Sequence, residues 1–123
     1  MEIPEGLEIR ESPIHGLGVF ATRNFAEGEV LGEFTGVVMT RLEFAQKYGT
    51  DYRYSYRQMR ANRIIVAKEQ RNFITYVNDG VYGAAVPHVN VCLRNKKLCV
   101  IRPIEAGEEL LMDYGSIYNW KTR

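Results

Sequence analysis

Three observations on the sequence predict a mostly β fold. Short apolar segments alternate with Gly, Asn, Pro or charged turn residues at roughly eight- to twelve-residue spacing. One stretch alone carries helical periodicity. The 123 residues hold no Pro-rich linker and no low-complexity run, so they fit one domain, 1–123, around one core.

The elements follow in chain order. "GLGVFAT" from Gly16, "GEVLGEF" from Gly28 and "GVVMT" from Gly36 each place an apolar strand behind a glycine turn. From Arg41 to Tyr56, the apolar residues Leu42, Phe44, Ala45 and Tyr48 have the spacing of one or two helical turns, a small helical insert. "NRIIVA" from Asn62 is again a strand. "NFITYVNDG" from Asn72 reads as a buried strand that ends in two polar residues, Asn78 and Asp79, for which a turn cap is the plainer explanation. "NVCLRNKKLCVIRP" from Asn90 reads as a hairpin turning at Asn95-Lys96, which sets Cys92 opposite Cys99. In the closing strand "ELLMDY", Leu110 and Met112 should share a face with Tyr114, while Leu111 and Asp113 point away.

Two stretches echo one another. "RNFAEGEVL" from Arg23 and "RPIEAGEEL" from Arg102 share Arg, an apolar residue, Gly-Glu and Leu at equal spacing. Both read as a strand leaving, a glycine turn and a strand entering.

Composition narrows the function classes. With 16 Lys and Arg against 15 Asp and Glu, global charge steers the chain toward neither nucleic acid nor membrane. The one local basic stretch, Arg53 to Arg71, is more often a solvated face than a phosphate contact. No apolar run is long enough to span a bilayer and no signal peptide is evident, which predicts a soluble intracellular protein. Two cysteines without further Cys or His at ligand spacing argue against a metal site and a disulfide framework, and predict buried thiols.

Taken together, in order and over nearly the whole chain, these stretches resemble the SET domain family of protein lysine methyltransferases. Gly16-Leu17-Gly18 before "VFA" resembles the family's G-x-G element. Phe34-Thr35-Gly36 resembles its Y-x-G, with Phe for Tyr. Arg71 through Gly80 is similar to the family's Gly-Asn-x-x-Arg-Phe-Ile-Asn-His-Ser, keeping Asn72 and Asn78 but carrying Thr75, Asp79 and Gly80 where Arg, His and Ser are usual. Glu109 to Gly115 matches the closing Glu-Leu-x-x-Asp-Tyr-Gly in full. The cysteine-rich zinc-binding flanks of the family are absent, as in its small stand-alone viral and bacterial members.

The resemblance implies small curved sheets around a C-terminal pseudoknot, with "YVNDG" brought against "DYG". It implies S-adenosylmethionine as cofactor, held by Gly16, Leu17, Gly18, Asn78, Asp79, Tyr114 and Trp120. Tyr114 becomes the catalytic residue, its hydroxyl positioned beside the reacting methyl. Tyr52, Leu93, Met112 and Tyr118 become the substrate lysine channel, although Tyr54 or Tyr56 could take the place of Tyr52 by a shift of register. Neither Leu93 nor Met112 carries a hydroxyl, which favours di- or trimethylation. The implied partner is a basic, lysine-containing peptide such as a histone tail, met by carboxylates such as Glu33, Asp51 and Glu69. Nucleosomal DNA contact and a homodimer are weaker expectations. A histone substrate would put the protein in the nucleus, another substrate in the cytoplasm. Thr75, Asp79, Gly80 and Phe34 keep a second reading open, a SET-like pseudoenzyme that binds without turnover. A small β-rich adaptor with no cofactor is a third.

Overall fold

The computed structural model describes residues 1–58, 62–80 and 89–113. The fold is mostly β, with one short α-helix and several small sheets, as predicted.

Strands β1 (Leu7–Glu11) and β2 (Leu17–Ala21) pair antiparallel from Leu7↔Ala21 to Glu11↔Leu17. The second half of β2 is buried on both faces, because residues 107–110 run along its other edge: the Ala21 N–H donates to Glu108 O at 2.9 Å and the Leu110 N–H to Val19 O at 2.8 Å. β3 (Val30–Glu33) follows, then β4 (Val37–Thr40) and helix α1 (Arg41–Tyr48).

Thr40 ends β4 and caps α1 at once. Its hydroxyl accepts from the Glu43 N–H, and the Glu43 carboxylate accepts from the Thr40 N–H at 2.9 Å, a reciprocal capping box. Of the four apolar residues that suggested this helix, only Phe44 is fully buried; Leu42 is exposed. Burying one phenylalanine contributes about 1.5–3 kcal/mol. The helix therefore depends on its caps and on a small cluster of Met39, Phe44, Ile64 and Val66.

β4 pairs with β6 (Arg63–Val66), which also carries β5 (Ser55–Gln58) on its other side. The hairpin of β8 (Val91–Arg94) and β9 (Lys97–Val100) pairs with β3, in the order β3-β9-β8. Its turn residues have φ of 46° at Asn95 and 71° at Lys96, the left-handed pair of a two-residue hairpin turn. Cys92 lies opposite Cys99 as predicted. Both thiols are free but half-buried rather than buried, and burial pushes the Cys92 thiol up, away from thiolate chemistry.

One expectation needs correction. Phe73–Tyr76 is a 3-10 turn, not a strand; Asn72 caps it by accepting from the Ile74 N–H at 2.7 Å. Only Asn78–Asp79 (β7) is extended there. In the closing segment Leu110, Leu111 and Met112 are all buried, so both faces are covered there, and exposure returns at Asp113. Its edges are taken by backbone hydrogen bonds to β2 and β7.

The echoed turns pack on each other. Phe25 and Ile104 exchange backbone hydrogen bonds of 2.8 and 3.0 Å. In each turn the glutamate after the glycine folds back to accept a backbone N–H, Ala26 for Glu29 at 2.6 Å and Glu105 for Glu108 at 2.8 Å. Gly28 and Gly107 hold φ of 93° and 95°, which residues with a Cβ rarely adopt.

The last strand, β10 (Leu111–Met112), pairs parallel with β7, Leu111↔Asn78 and Met112↔Asp79. This sets the C-terminal segment against the Asn78 stretch, as the expected threading requires. Asn90, with no exposed surface, locks it from the other side: its amide donates to Glu109 O at 3.0 Å and accepts from the Leu111 N–H at 2.8 Å.

Candidate functional site

The parallel pair creates a junction where three distant parts of the chain meet. Asn78 is fully buried, and its side-chain amide donates toward His15 O at 3.0 Å, Leu17 O at 3.2 Å and the Glu109 carboxylate at 2.9 Å. Glu109 also accepts from the Ser12 hydroxyl, at 2.9 and 2.8 Å to its two oxygens. Ser12 in turn accepts from the Ile14 N–H at 3.0 Å. The loop between β1 and β2 is thus fixed at both ends to the C-terminal segment.

That loop borders a cleft, lined by Gly16 and Leu17 together with Tyr54, Arg71, Thr75 and Tyr76. A Cβ at Gly16 would meet nothing within 4 Å, so the backbone there is open to a ligand. Gly18 is different. It is buried, and a Cβ on it would run into the Glu109 carboxylate, so its lack of a side chain lets the Asn78–Glu109 pair close behind the loop.

Tyr54 holds φ of 58°, an uncommon conformation for an aromatic residue. Its ring takes one face of the Arg71 guanidinium at 4.0 Å, and Tyr76 takes the other at 3.9 Å. Arg71 also donates to the Thr75 hydroxyl at 3.0 Å and to Thr75 O at 3.2 Å. The cleft is lined by the basic groups His15, Arg53 and Arg71 and, among the described residues, by no carboxylate.

Of the residues expected at a cofactor site, the structure brings together Gly16, Leu17, Gly18, Asn78 and Asp79. Asp79 is buried, and its strand pairs with Met112. Leu93 and Met112 both lie in the main core, 4% and 1% exposed. Tyr52 is not brought to the cleft: it stacks on Phe44, ring centroids 5.0 Å apart, beside α1. Tyr54 occupies the cleft instead. Tyr114, Tyr118 and Trp120 lie outside the described residues, although Asp113 immediately precedes Tyr114. Sequence reasoning missed Ser12, Asn90 and Glu109 as individual groups.

The carboxylates expected to greet a basic peptide already have partners. Glu33 pairs with Lys96 at 3.4 Å, Glu69 with Lys47 at 3.4 Å, and Asp51 with both Arg53 and Lys68, at 2.9 and 3.3 Å. Hydrogen bonds from the Arg53 guanidinium hold the Asp51 carboxyl far below the usual carboxylate range. The basic stretch Arg53 to Arg71 is correspondingly less free than its sequence implies.

The fold is a mostly β core that joins a glycine loop, a buried asparagine and a C-terminal strand. The profile of the SET domain family matches residues 16–115, and the chain belongs to that family. Among solved structures it is similar to the methyltransferase domain of human PR domain-containing protein 2, at 26% identity and a TM-score of 0.65, over 98% of this chain and 84% of that one. It is also similar to the Chaetomium thermophilum polycomb repressive complex 2, at 22% identity and a TM-score of 0.74, over 98% of this chain and 17% of that one. A third likeness is to ctPRC2 in an autoinhibited conformation bound to S-adenosylmethionine, at 23% identity and 0.72, over 94% and 16%. The chain spans about a sixth of the length of these complex subunits, for which the shared feature is the fold. No curated protein matches it in sequence. No helix among the described residues is long and apolar enough to cross a membrane.

Proposed function

We propose that this chain is an S-adenosylmethionine-dependent protein-lysine N-methyltransferase. The observation that carries the reading is the junction itself: β7–β10 pairing puts the strand that leads into Tyr114 beside Asn78, and Asn78 beside the loop of Gly16 and Leu17. The residues fit the cofactor. The cleft offers open backbone at Gly16, an aromatic wall at Tyr54 and Tyr76, and cationic groups for a carboxylate.

When bound, S-adenosylmethionine supplies an electrophilic methyl group on a sulfonium. Gly16 and Leu17 would hold it through main-chain groups, with Asn78 fixing the path of that main chain and Asp79 contributing through its backbone. The Tyr114 hydroxyl orients the acceptor amine and favours developing positive charge by oxygen contact. Tyr114 serves in this reading as a hydrogen-bonding and orienting group rather than as a base. Holding donor and acceptor aligned can supply about 7–11 kcal/mol of the barrier reduction.

The favoured substrate is a lysine in a basic peptide of histone type, which would make the protein nuclear. Leu93 and Met112 offer no hydroxyl, which supports di- or trimethylation. Transfer of labelled methyl groups to a panel of histone and non-histone peptides tests the reading. Tyr114→Phe should leave the melting temperature unchanged and cut turnover about a hundredfold or more, since one polar group at the reacting centre is worth about 2.7–4 kcal/mol. Near-normal turnover in that variant would remove Tyr114 from the mechanism. Cofactor binding without transfer to any peptide would favour instead a binding module, the reading supported by Thr75, Asp79 and Gly80 at positions where the family usually has other residues.

A further inference from the structure

We infer that Arg71 recognises the carboxylate at the amino-acid end of the cofactor, and so makes the cleft selective for ligands that carry that group. The inference rests on the S-adenosylmethionine reading and adds to it a residue and a specificity.

Arg71 is held in place before any ligand arrives. Tyr54 and Tyr76 clasp its guanidinium at 4.0 and 3.9 Å, and Thr75 accepts two of its hydrogen bonds through Oγ1 and O. A guanidinium has five N–H donors in a planar fork. With two of them used on Thr75, the rest have no protein acceptor and Arg71 has no carboxylate partner among the described residues. The contrast with Arg53, which also lines the cleft, is direct: Arg53 is spent on Asp51 through paired contacts of 2.9 Å.

A half-buried cation with unspent donors, in a cleft without an acid among the described residues, is matched by an anionic group with paired oxygens. The carboxylate is the only anionic group of S-adenosylmethionine at neutral pH, and its planar pair of oxygens fits the remaining fork. Because the aromatic clasp already restricts the side chain, little rotamer freedom is lost when the ligand docks. Gly16 and Leu17 line the same cleft, so a ligand held there by main-chain contacts shares it with Arg71.

The competing role is structural: the same contacts could serve only to pin the Phe73–Tyr76 turn. Titration calorimetry on the full chain separates the two, using S-adenosylhomocysteine, its decarboxylated analogue and 5′-methylthioadenosine, which lacks the amino-acid end. Wild type should prefer S-adenosylhomocysteine to the decarboxylated analogue by about ten- to hundredfold, the range expected for a charge-assisted hydrogen bond. Arg71→Met, which keeps the apolar stem, should reduce that preference to under about threefold while 5′-methylthioadenosine binds as before; Arg71→Lys should keep part of it.

A preference that survives Arg71→Met, or an equal loss for all three ligands, would overturn the inference in favour of the structural role. Should Arg71→Met fail to fold by circular dichroism, wild type and Arg71→Lys still decide: a wild-type affinity indifferent to the carboxylate, or a full preference in Arg71→Lys with its altered fork, overturns it. Wild type that binds none of the three ligands would overturn the cofactor reading itself, a result distinct from binding that ignores the carboxylate.

Discussion

The side-chain amide of Asn78 donates to the carboxylate of Glu109 at 2.9 Å, and this one contact joins the middle of the chain to its C-terminal strand. Glu109 also receives the Ser12 hydroxyl, so removing its carboxylate strands that donor, while the Asn78 amide keeps His15 O and Leu17 O as acceptors. Leaving a part-buried donor unsatisfied costs about 1–3 kcal/mol. Glu109→Ala should therefore lower unfolding free energy by roughly 1–3 kcal/mol in urea melts. Glu109→Gln keeps an acceptor oxygen and should cost less than half as much. Loss of under about 0.5 kcal/mol in the alanine variant would mean the junction is held by backbone pairing alone.

Two glycines should respond to alanine in opposite ways. At Gly36 the added Cβ would meet the backbone carbonyl of Val66, which cannot move without shifting β6. At Gly18 it would meet the end of the Glu109 side chain, which can swing aside but only by releasing Asn78 and Ser12. Gly36→Ala should lower the melting temperature more, with ligand affinity per folded molecule retained. Gly18→Ala should keep more of its stability yet weaken S-adenosylhomocysteine binding about tenfold or more, as expected for roughly 1.4 kcal/mol of lost positioning. Equal melting temperatures and equal affinities in the two variants would contradict this division.

Asp51 gives the protein an acid-sensitive contribution. Its folded carboxyl is depressed, chiefly by hydrogen bonds from Arg53 and further by Lys68, while burial opposes the shift. A depressed carboxyl stabilises the fold above its unfolded pKa, near the ordinary value of 3.8, and loses that stabilisation as pH falls from there through the folded value. The side chain is 37% exposed, so solvent and salt screen much of the effect. The melting-temperature gap between wild type and Asp51→Asn should be steady from about pH 7 to 5 and shrink below about pH 4. Added salt should reduce the gap at neutral pH. A gap that widens on acidification would reverse the assigned sign.

Legibility in the sequence largely tracked how local each signal was. The Asn95-Lys96 turn stood out because it is written within two residues, whereas the equally local Thr40–Glu43 capping box went unread. The 3-10 turn at Phe73–Tyr76 did not stand out either, since a short apolar run has the same appearance in a strand and in a tight turn; Asn72 was the one local clue. β1 and β5 went unread: β1 buries only Leu7 fully, and β5 begins at Ser55, in the last residues of the tyrosine-rich stretch assigned to the helical insert. At the site, Gly16 and Asn78 were found through motifs. Ser12 and Glu109, 97 residues apart, meet through side chains, and such a contact leaves no periodic mark. Tyr52 and Tyr54 differ by one register step, which only the backbone turn at Tyr54 resolved.

The number of methyl groups added should depend on Met112. Met112 is 1% exposed on β10, in the same core cluster as Leu93 on β8, and neither side chain can hold a water through a hydroxyl. Met112→Tyr adds ring volume and a hydroxyl that needs a partner, and should cost about 1–3 kcal/mol of stability through overpacking. In the folded fraction the new hydroxyl would narrow the approach of a methylated amine and hold water against it. The product of a long reaction with excess cofactor should then shift toward monomethyl-lysine, with a smaller effect on the first transfer. Met112→Leu conserves volume, should cost under about 1.5 kcal/mol, and should leave the product distribution unchanged. Mass spectrometry of a lysine peptide over time measures both. A wild-type reaction that stops at one methyl, or a Met112→Tyr variant with an unaltered product ladder, would assign control of the channel to residues other than Met112.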